Sequence, residues 1–467
     1  MNLKRLSEYK IFDHSFYQYF FTLYIGLHVF FSLSLGNITA FAVDEGLYNS
    51  IFSTLYTEGF TNEVLGFGGA WVPWLRLVYF PAKVLTFVGF SDLIAVRFLS
   101  IAYSTLATFL LIKIAKENAR DDWSFKGALV IISFLPTVFL WSSIGLRESF
   151  LFLEISAILF FLSRIRKRIE IRNLFGLAFS IYSLSMTKDY IYILFLFSIL
   201  GTLLILSVFR SQKFLLLFLI LGIAVLPLFF KPQLIPAISN FFEGQVTKTT
   251  TADELNNNGR CEYFEPCTEE IPKKSVNGDS IEFVSSDGMT IAALLNQLNG
   301  NPKTLLSRVS NQLGFTSKLE SISKSVMVPE TNKSVLENQK RRSLQQANLG
   351  SPAQILESSV KFLLVPFLFF DNGSFFLNIQ SFETPLWLFI YGLFLVSLYQ
   401  VIRNRRELDH EVIIAILFVL GFVVLSALIE INVGTAIRHR SLLLIPIVVI
   451  WIGRRKNFPE REFTDRI

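Results

Sequence analysis

Residues 411–429 read EVIIAILFVLGFVVLSALI, and residues 190–209 read YIYILFLFSILGTLLILSVF. Each run is about as long as the roughly 20 apolar residues that an α-helix needs to cross the hydrocarbon core of a bilayer. The whole chain of 467 residues is 52% hydrophobic and only 17% charged, with a mean hydropathy of +0.49. This composition excludes an ordinary soluble enzyme and a disordered chain. The sequence therefore predicts an all-α polytopic membrane protein.

Further apolar runs of this kind bring the predicted number of transmembrane helices to about ten. They lie at residues 16–36, 93–114, 126–143, 148–164, 173–187, 190–209, 214–231, 384–402, 411–429 and 439–453. Lys and Arg cluster at alternate ends of these runs, as at 164–168 and 454–456. The positive-inside rule then places these clusters and both termini in the cytoplasm. The formal net charge of +6 follows from this pattern and does not indicate a nucleic-acid partner.

Composition divides the chain into three parts. Residues 1–231 are predicted to form an N-terminal transmembrane bundle, whose first outer loop, residues 37–92, carries helices that lie along the membrane surface. Residues 232–355 form a polar extracytoplasmic insert that is rich in Asn, Ser, Thr, Lys and Glu. The insert can bury little apolar surface, so we expect it to be partly disordered. Residues 356–467 add an interfacial helix and the last transmembrane helices.

Two cysteines, Cys261 and Cys267, lie within the polar insert. Their spacing does not match the usual zinc motifs. Because the predicted topology places the insert in an oxidising compartment, we expect them to form a local disulfide. This placement and the lack of strong sorting signals favour a bacterial inner membrane.

A mixed set of charged residues lies at the outer ends of the predicted spans. Charges near membrane depth are costly unless they face the bundle interior or a water-filled cavity, so they are candidates for function. The set consists of Asp44, Glu45, Asp92, Arg97, Arg147, Glu148, Lys188, Asp189, Arg438, His439 and Arg440. These residues come from separate connections that a compact bundle can bring to one face. Carboxylates beside guanidinium groups suit a phosphate-bearing amphiphile, because arginine binds phosphate through two parallel hydrogen bonds.

Each of these residues also has a structural interpretation. The charged pairs at 147–148 and 188–189 are equally typical of interfacial residues that end helices. Asp92 is placed to cap the N-terminus of the helix that carries Arg97. Arg97 lies one turn inside an apolar helix, which favours a functional role or a buried pair over a purely solvated role. The basic run at 438–440 opposes the positive-inside trend, which favours binding of an anionic ligand there.

Missing motifs argue against ATP or dinucleotide binding and against a hydrolase or a metalloprotease. The chain contains no Walker A sequence and no dinucleotide-binding GxGxxG pattern. It also contains neither a GxSxG nucleophile elbow nor an HExxH zinc motif. With only four histidines in the whole chain, we do not expect a histidine-based metal site.

The first outer loop resembles a known enzyme superfamily. Asp44, Glu45 and Gly46, directly after the first span, are similar to the acidic signature of the GT-C glycosyltransferases. Two further segments are similar to parts of such proteins. One resembles a segment that opens a span, residues 91–100, SDLIAVRFLS. The other resembles a hairpin that places a polar pair at the outer face, residues 135–149, LPTVFLWSSIGLRES.

Members of that superfamily are polytopic enzymes that take sugars from polyprenyl-phosphate donors. The resemblance implies that Asp44 acts as general base or holds a divalent cation, and that Glu45 either shares this role or points away from the site. It also implies that Arg97, Arg438 and Arg440 neutralise the phosphate leaving group. The implied partners are a polyprenyl-phosphate-linked sugar or oligosaccharide and membrane lipids, with an acceptor on the extracytoplasmic face.

Two other functions stay open from the sequence. The arginine-rich turn at 432–440 is also similar to polysaccharide polymerases and ligases of the O-antigen type, in which Asp44 would be dispensable. A non-enzymatic transporter or assembly scaffold is the third class. A transporter would favour charges at mid-span and broken helices in paired positions, and Pro136 and Pro227 pair poorly.

Overall fold

The fold is entirely helical in the part of the chain that can be described. The computed structural model describes residues 14–35, 45, 52, 72–118, 122–208, 214–230, 351–366, 380–403, 409–430 and 433–453. No strand occurs within these ranges. Asp44, the disulfide predicted between Cys261 and Cys267, and residues 232–350 of the predicted insert lie outside the described residues.

Fourteen helices make up the described chain. The first seven are α1 (His14–Leu35), α2 (Val72–Phe87), α3 (Asp92–Asn118), α4 (Asp122–Ser133), α5 (Pro136–Ser143), α6 (Glu148–Lys167) and α7 (Ile171–Thr187). The other seven are α8 (Asp189–Val208), α9 (Phe214–Phe230), α10 (Pro352–Leu364), α11 (Thr384–Arg403), α12 (His410–Ile429), α13 (Val433–Ser441) and α14 (Leu444–Gly453).

Six segments of the described chain are long and apolar enough to cross a bilayer, in agreement with the predicted all-α membrane protein. They are Phe16–Leu35, Asp92–Ala115, Asp189–Leu206, Thr384–Arg403, His410–Ile429 and Val433–Trp451. The last segment contains both α13 and α14. Helices α7 and α9, with 17 residues each, are shorter, and α6 ends in Arg164, Arg166 and Lys167. The predicted count of about ten spans is therefore not confirmed.

The span predicted at 126–143 is two helices and not one. Helix α4 ends at Ser133, and α5 begins at Pro136. Proline lacks an amide hydrogen and its ring clashes with the preceding turn, so it starts a helix more readily than it continues one. Leu135 has φ −56° and ψ 124°, the conformation that a following proline favours. The predicted span at 126–143 is therefore interrupted at Pro136, a position that the sequence offers as a candidate for a broken helix.

Charged residues mark the two ends of the helix pair α6 and α12. At one end, Arg166 on α6 contacts Asp409 at 2.6 Å and Glu411 at 2.8 Å, both at the start of α12. At the other end, α6 begins with Glu148 and α12 is followed by Glu430. The two helices are thus antiparallel, and 20 residues of α6 span about 30 Å, close to the thickness of a bilayer core. We call these two ends the Arg166 end and the Glu148 end.

The largest apolar core lies between these two ends. It joins α6, α7, α8, α12 and α14, with the rings of Phe195 on α8 and Phe418 on α12 in tilted contact at a centroid distance of 4.4 Å. Large apolar side chains also cover the outside of the bundle, such as Phe175, which is 68% exposed, and Leu204, which is 62% exposed. An apolar outer surface of this kind is compatible with contact to lipid chains.

The N-terminus of α3 differs in one detail from the prediction. Asp92 was expected to cap the helix, but the side chain of Ser91 occupies that position and accepts a hydrogen bond from the Ile94 amide at 3.4 Å. Asp92 is instead the first helical residue, where a carboxylate interacts favourably with the helix dipole.

Helices α6 and α7 approach each other closely at Gly176. A Cβ atom built there would lie 2.3–2.6 Å from three ring atoms of Phe161. We therefore expect Gly176→Ala to destabilise the bundle by about 1–3 kcal/mol, the usual cost of overpacking a core. Gly392→Ala on α11 is the matched control, because a Cβ there meets nothing within 4 Å and alanine favours the helix. The thermal unfolding midpoints of the two purified variants test this, and equal midpoints would show that the Phe161 ring moves aside without cost.

Candidate functional site

Three connections converge at the Glu148 end of the bundle. They are the turn between α5 and α6, the residue between α7 and α8, and the turn between α12 and α13. Together they form a group of polar residues that we call the Glu148 cluster: Arg147, Glu148, Lys188, Tyr190, Glu430, Arg438 and His439. Five of these residues were candidates from the sequence, and the expectation that they share one face agrees with their positions here.

One half of the cluster is centred on His439. Its Nδ1 contacts the carboxylate of Glu430, and its Nε2 lies 3.4 Å from the ammonium nitrogen of Lys188. The hydroxyl of Tyr190 lies 3.3 Å from the same Nδ1 and 3.4 Å from Nε2. The ammonium group of Lys188 is 5.0 Å above the Tyr190 ring, within the range of a cation–π interaction. The Glu430 carboxylate therefore fixes the imidazole beside a lysine and a tyrosine hydroxyl.

The other half of the cluster is centred on Arg438. Its guanidinium lies 3.9 Å from a carboxylate oxygen of Glu148 and 5.7 Å above the ring of Trp141. Glu148 is only 3% exposed and Trp141 5%, whereas the Arg438 side chain is 16% exposed. Arg438 is thus the member of this half that reaches furthest toward the surface.

The charge of the cluster favours an anion. Arg147, Lys188 and Arg438 supply three cationic groups against the carboxylates of Glu148 and Glu430. Guanidinium and ammonium groups gathered in a partly buried site bind phosphate strongly, because their hydrogen bonds to it are charge-assisted. The cluster therefore has the composition of a phosphate site.

Burial and neighbouring charges alter the protonation of two cluster residues. Burial, with the nearby guanidinium of Arg147, lowers the pKa of Lys188 to about 7. Burial opposes ionisation of Glu430, but His439 and Lys188 overcome it and hold the pKa of Glu430 below its ordinary value. Glu430 is therefore ionised at neutral pH, while Lys188 changes its charge there.

Arg97 and Glu45 form a separate buried ion pair. Arg97 donates from Nε and Nη2 to the Glu45 carboxylate at 2.7 and 3.0 Å, and from Nη1 to the Ser32 carbonyl at 3.1 Å. Glu45 also accepts a hydrogen bond from the Gly145 amide at 2.7 Å. Arg97 thus forms a buried pair and is not solvated, and its predicted role in phosphate binding is not tested by these contacts. The catalytic role predicted for Glu45 stays a prediction, as does that of Asp44, which lies outside the described residues.

Arg440 points to a different set of partners from Arg438 and His439. It is fully buried, donates to the Leu363 carbonyl at 2.9 Å and to the Val365 carbonyl, and lies 4.6 Å from the Trp387 ring. Glu383, next to this set, accepts hydrogen bonds from Thr137 and from the Trp387 indole. Arg440 thus joins α13 to the end of α10. Its predicted role in phosphate binding is not tested by these contacts.

Four polar residues of this region were not identified from the sequence. Glu430 follows an apolar span and looks like an ordinary helix end, and Tyr190 looks like an interfacial aromatic residue. Glu154 accepts a 2.8 Å hydrogen bond from Thr187. It could have been identified from the sequence, because it is a carboxylate within a predicted span. Nothing in the sequence pointed to Glu383, since its partner Thr137 is 246 positions away.

Asp189, a candidate from the sequence, lies at the first position of α8. A carboxylate is favourable there because it interacts with the helix dipole.

The described residues do not favour a metal centre. Nowhere in the described ranges do three or more His, Cys, Asp or Glu side chains group in a way that could hold an ion. Glu148 and Glu430, the two carboxylates of the cluster, face cationic side chains. We therefore assign no residues to the divalent cation that the resemblance leaves open.

The Arg97–Glu45 pair provides a direct test of stability. We expect Arg97→Ala to destabilise the protein by about 3–5 kcal/mol, because it leaves the buried Glu45 carboxylate without its cation. Lys83→Ala, which removes an exposed cation, should change stability by no more than about 0.5 kcal/mol. Thermal unfolding of both purified variants measures the difference. Equal midpoints would contradict a stabilising role for the pair.

The pKa of Lys188 predicts how anion binding depends on pH. Lys188 is charged below pH 7 and neutral above it, so binding should weaken as the pH rises through about 7. Sulfate is a suitable probe because its charge is constant between pH 6 and pH 8.5. We expect about tenfold weaker sulfate binding at the higher pH, the effect of losing one charge-assisted hydrogen bond.

Two variants test the Lys188 assignment by calorimetry. Lys188→Arg should remove the pH dependence, because arginine stays charged throughout this range. Lys83→Arg, a similar change at an exposed lysine, should keep it. Wild-type binding that is equal at both pH values would refute the assignment.

The geometry of the cluster allows two kinds of chemistry. Its cations can bind and stabilise a phosphate group, and its histidine and carboxylates can accept hydrogen bonds or a proton. Comparison of the chain with protein-family models, with curated protein sequences and with solved structures gives no match. Any function of the Glu148 cluster must therefore be inferred from its own residues.

Proposed function

We propose that the protein is a membrane glycosyltransferase that moves a sugar from a polyprenyl-phosphate donor to an acceptor on the extracytoplasmic face, during assembly of a cell-surface glycan. The observation that supports this most is the gathering of Arg147, Lys188 and Arg438 with Glu148 at one end of a helical bundle. The phosphate of a lipid-linked donor lies where its apolar tail enters the bilayer, which is the depth that we propose for the Glu148 end.

The proposal includes a topology of about ten spans with both termini in the cytoplasm. Helix α6 ends with three basic residues at the Arg166 end, which favours a cytoplasmic location for that end. The Glu148 end then faces the extracytoplasmic side. The proposed location is the bacterial inner membrane.

Phosphate binding is the first role proposed for the cluster. Arg147, Lys188 and Arg438 would hold the phosphate of the donor, and its negative charge rises as the sugar departs. Cations already in position for that charge stabilise the transition state more than the ground state, which is the condition for catalysis. His439, fixed by Glu430, would add a hydrogen bond at the edge of this site.

Proton transfer is the second role. As the acceptor oxygen bonds to the anomeric carbon, the bond between that carbon and the phosphate oxygen breaks, and its electron pair stays on the phosphate. The acceptor loses its proton to a carboxylate, for which we propose Asp44. The neighbouring Glu45 is held by Arg97 and Gly145, which supports a positioning role for Glu45 in this step.

A polysaccharide polymerase that joins lipid-linked oligosaccharides is the second candidate. The observation that favours it is the contrast between the Glu148 cluster and the ion pair of Arg97 with Glu45. The cations of the cluster surround Glu148, whereas Glu45 in the first outer loop is engaged by Arg97. A polymerase would depend on Arg438 and not on Asp44.

Mass spectrometry of polyprenyl-linked glycans and surface polysaccharide in the native host distinguishes these functions. Cells would carry the wild type, Asp44→Asn or Arg438→Ala at equal membrane levels, with Arg403→Ala as a matched arginine control at the exposed end of α11. We expect the first two variants to lower transfer by about 100-fold or more, the usual effect of removing one group that stabilises the transition state. The glycan should then lack one sugar, and its lipid donor should accumulate.

Other outcomes would change the conclusion. If chains collapse to single repeat units in Arg438→Ala and Asp44→Asn has no effect, the polymerase replaces the transferase. If both variants leave the glycans as they are in Arg403→Ala, the enzyme proposal is overturned and a transporter or scaffold takes its place.

A further inference from the structure

We infer that Trp141 and Glu148 form a subsite for a hydroxylated ring, that of a sugar, next to the phosphate-binding cations. This inference rests on the proposed function and adds to it the residues that would contact the sugar. It begins with two buried polar atoms of opposite character, an indole N–H and a carboxylate oxygen.

The first atom is Nε1 of Trp141. The side chain lies near the end of α5 and is 5% exposed, and its N–H has no acceptor among the described residues. The Trp141 carbonyl accepts a 3.3 Å hydrogen bond from the Ser149 hydroxyl, which fastens α5 to the start of α6. This bond holds the backbone that carries the indole, while the indole N–H has no acceptor among the described residues.

The second atom is Oε2 of Glu148. Glu148 is 3% exposed, and this oxygen has no donor among the described residues, whereas its other oxygen lies 3.9 Å from Arg438. Arg438 also lies over the Trp141 ring at 5.7 Å, so both unused atoms belong to side chains that contact the same guanidinium. Trp141 and Glu148 thus both lie beside Arg438.

Unused buried groups of this kind are unfavourable for the protein alone. Each costs about 1–3 kcal/mol without a hydrogen-bond partner, and native proteins contain few of them. A ligand that supplies partners recovers this free energy on binding. Other buried atoms of the described residues also lack a partner, but these two are a donor and an acceptor beside one guanidinium, so a single ligand can satisfy both.

The chemistry of the two atoms selects among ligand groups. An ionised phosphate can only accept hydrogen bonds and is repelled by the Glu148 carboxylate. A sugar hydroxyl can accept from the indole N–H and donate to the carboxylate, and a ring carries several such groups. Trp141 and Glu148 therefore suit the sugar, while Arg147 and Lys188 suit the phosphate beside it.

Binding of defined lipids to the purified full-length protein in nanodiscs tests the subsite. The probes are undecaprenyl phosphate and undecaprenyl phosphates that carry glucose, galactose, mannose or N-acetylglucosamine. We expect at least one sugar-bearing probe to bind about tenfold more tightly than the bare lipid phosphate, the effect of one or two added hydrogen bonds.

The variants separate the sugar from the phosphate. Trp141→Phe keeps an aromatic ring but removes the N–H, so it should lower the preference for the sugar-bearing probe to near onefold while leaving binding of the bare lipid unchanged. Glu148→Gln keeps an acceptor oxygen but removes its charge, so it should weaken the preference. It should bind the bare lipid equally or more tightly, because a negative charge beside the phosphate is gone. Trp451→Phe, at the far end of α14, is the matched control and should keep the preference.

The outcomes distinguish this inference from the proposed function. The phosphate site stands if the bare lipid binds and Arg147→Gln weakens that binding. The subsite is nevertheless overturned if no sugar-bearing probe binds more tightly than the bare lipid, or if Trp141→Phe keeps the preference. If neither kind of probe binds, the proposed function itself is refuted. Thermal unfolding midpoints close to wild type confirm that each variant is folded.

Discussion

The buried ion pair between Arg97 and Glu45 is the interaction on which the arrangement of the Glu148 end depends. A guanidinium and a carboxylate at 0% and 1% exposure are tolerable only when each is satisfied by the other and by nearby polar groups. Here the additional groups are the Ser32 carbonyl and the Gly145 amide. The pair therefore links the end of α1, the start of α3 and the turn before α6, and this turn carries Arg147 and Glu148.

The cost of burying charge in an apolar environment explains the rest of the architecture. Along the antiparallel pair α6 and α12, ion pairs occur at the ends: Arg166 with Asp409 and Glu411 at one, and Arg438 with Glu148 at the other. Between them lies the core built on residues such as Phe418 and Leu159. Polar groups at the Glu148 end are consequently forced together, which gives this end its mixture of cations and carboxylates.

Much of the site could be predicted from the sequence, because helix ends of similar depth must meet at one surface. This argument places Arg147, Glu148 and Lys188 near Arg438 without any knowledge of packing. It fails for Arg440, because adjacent residues on a helix point about 100° apart and only the packing of α13 shows which residue faces the cluster. It also fails for Glu45, whose partner is set by a contact across 52 positions. Pro136 was visible in the sequence as a candidate for a broken helix, and the chain is interrupted there between α4 and α5.

The short helix α13 has one consequence for how mutations in this protein are understood. Its nine residues present Arg438 and His439 to the Glu148 cluster and Arg440 to the carbonyls at the end of α10. The contacts on the two sides of so short a helix are not independent, because a movement of the helix on the Arg440 side also displaces Arg438 and His439. A change at Arg440 would thus displace Arg438 and His439 through a contact made on a different side of the helix. In this part of the chain, the effect of a single substitution identifies the helix and not the residue that was replaced.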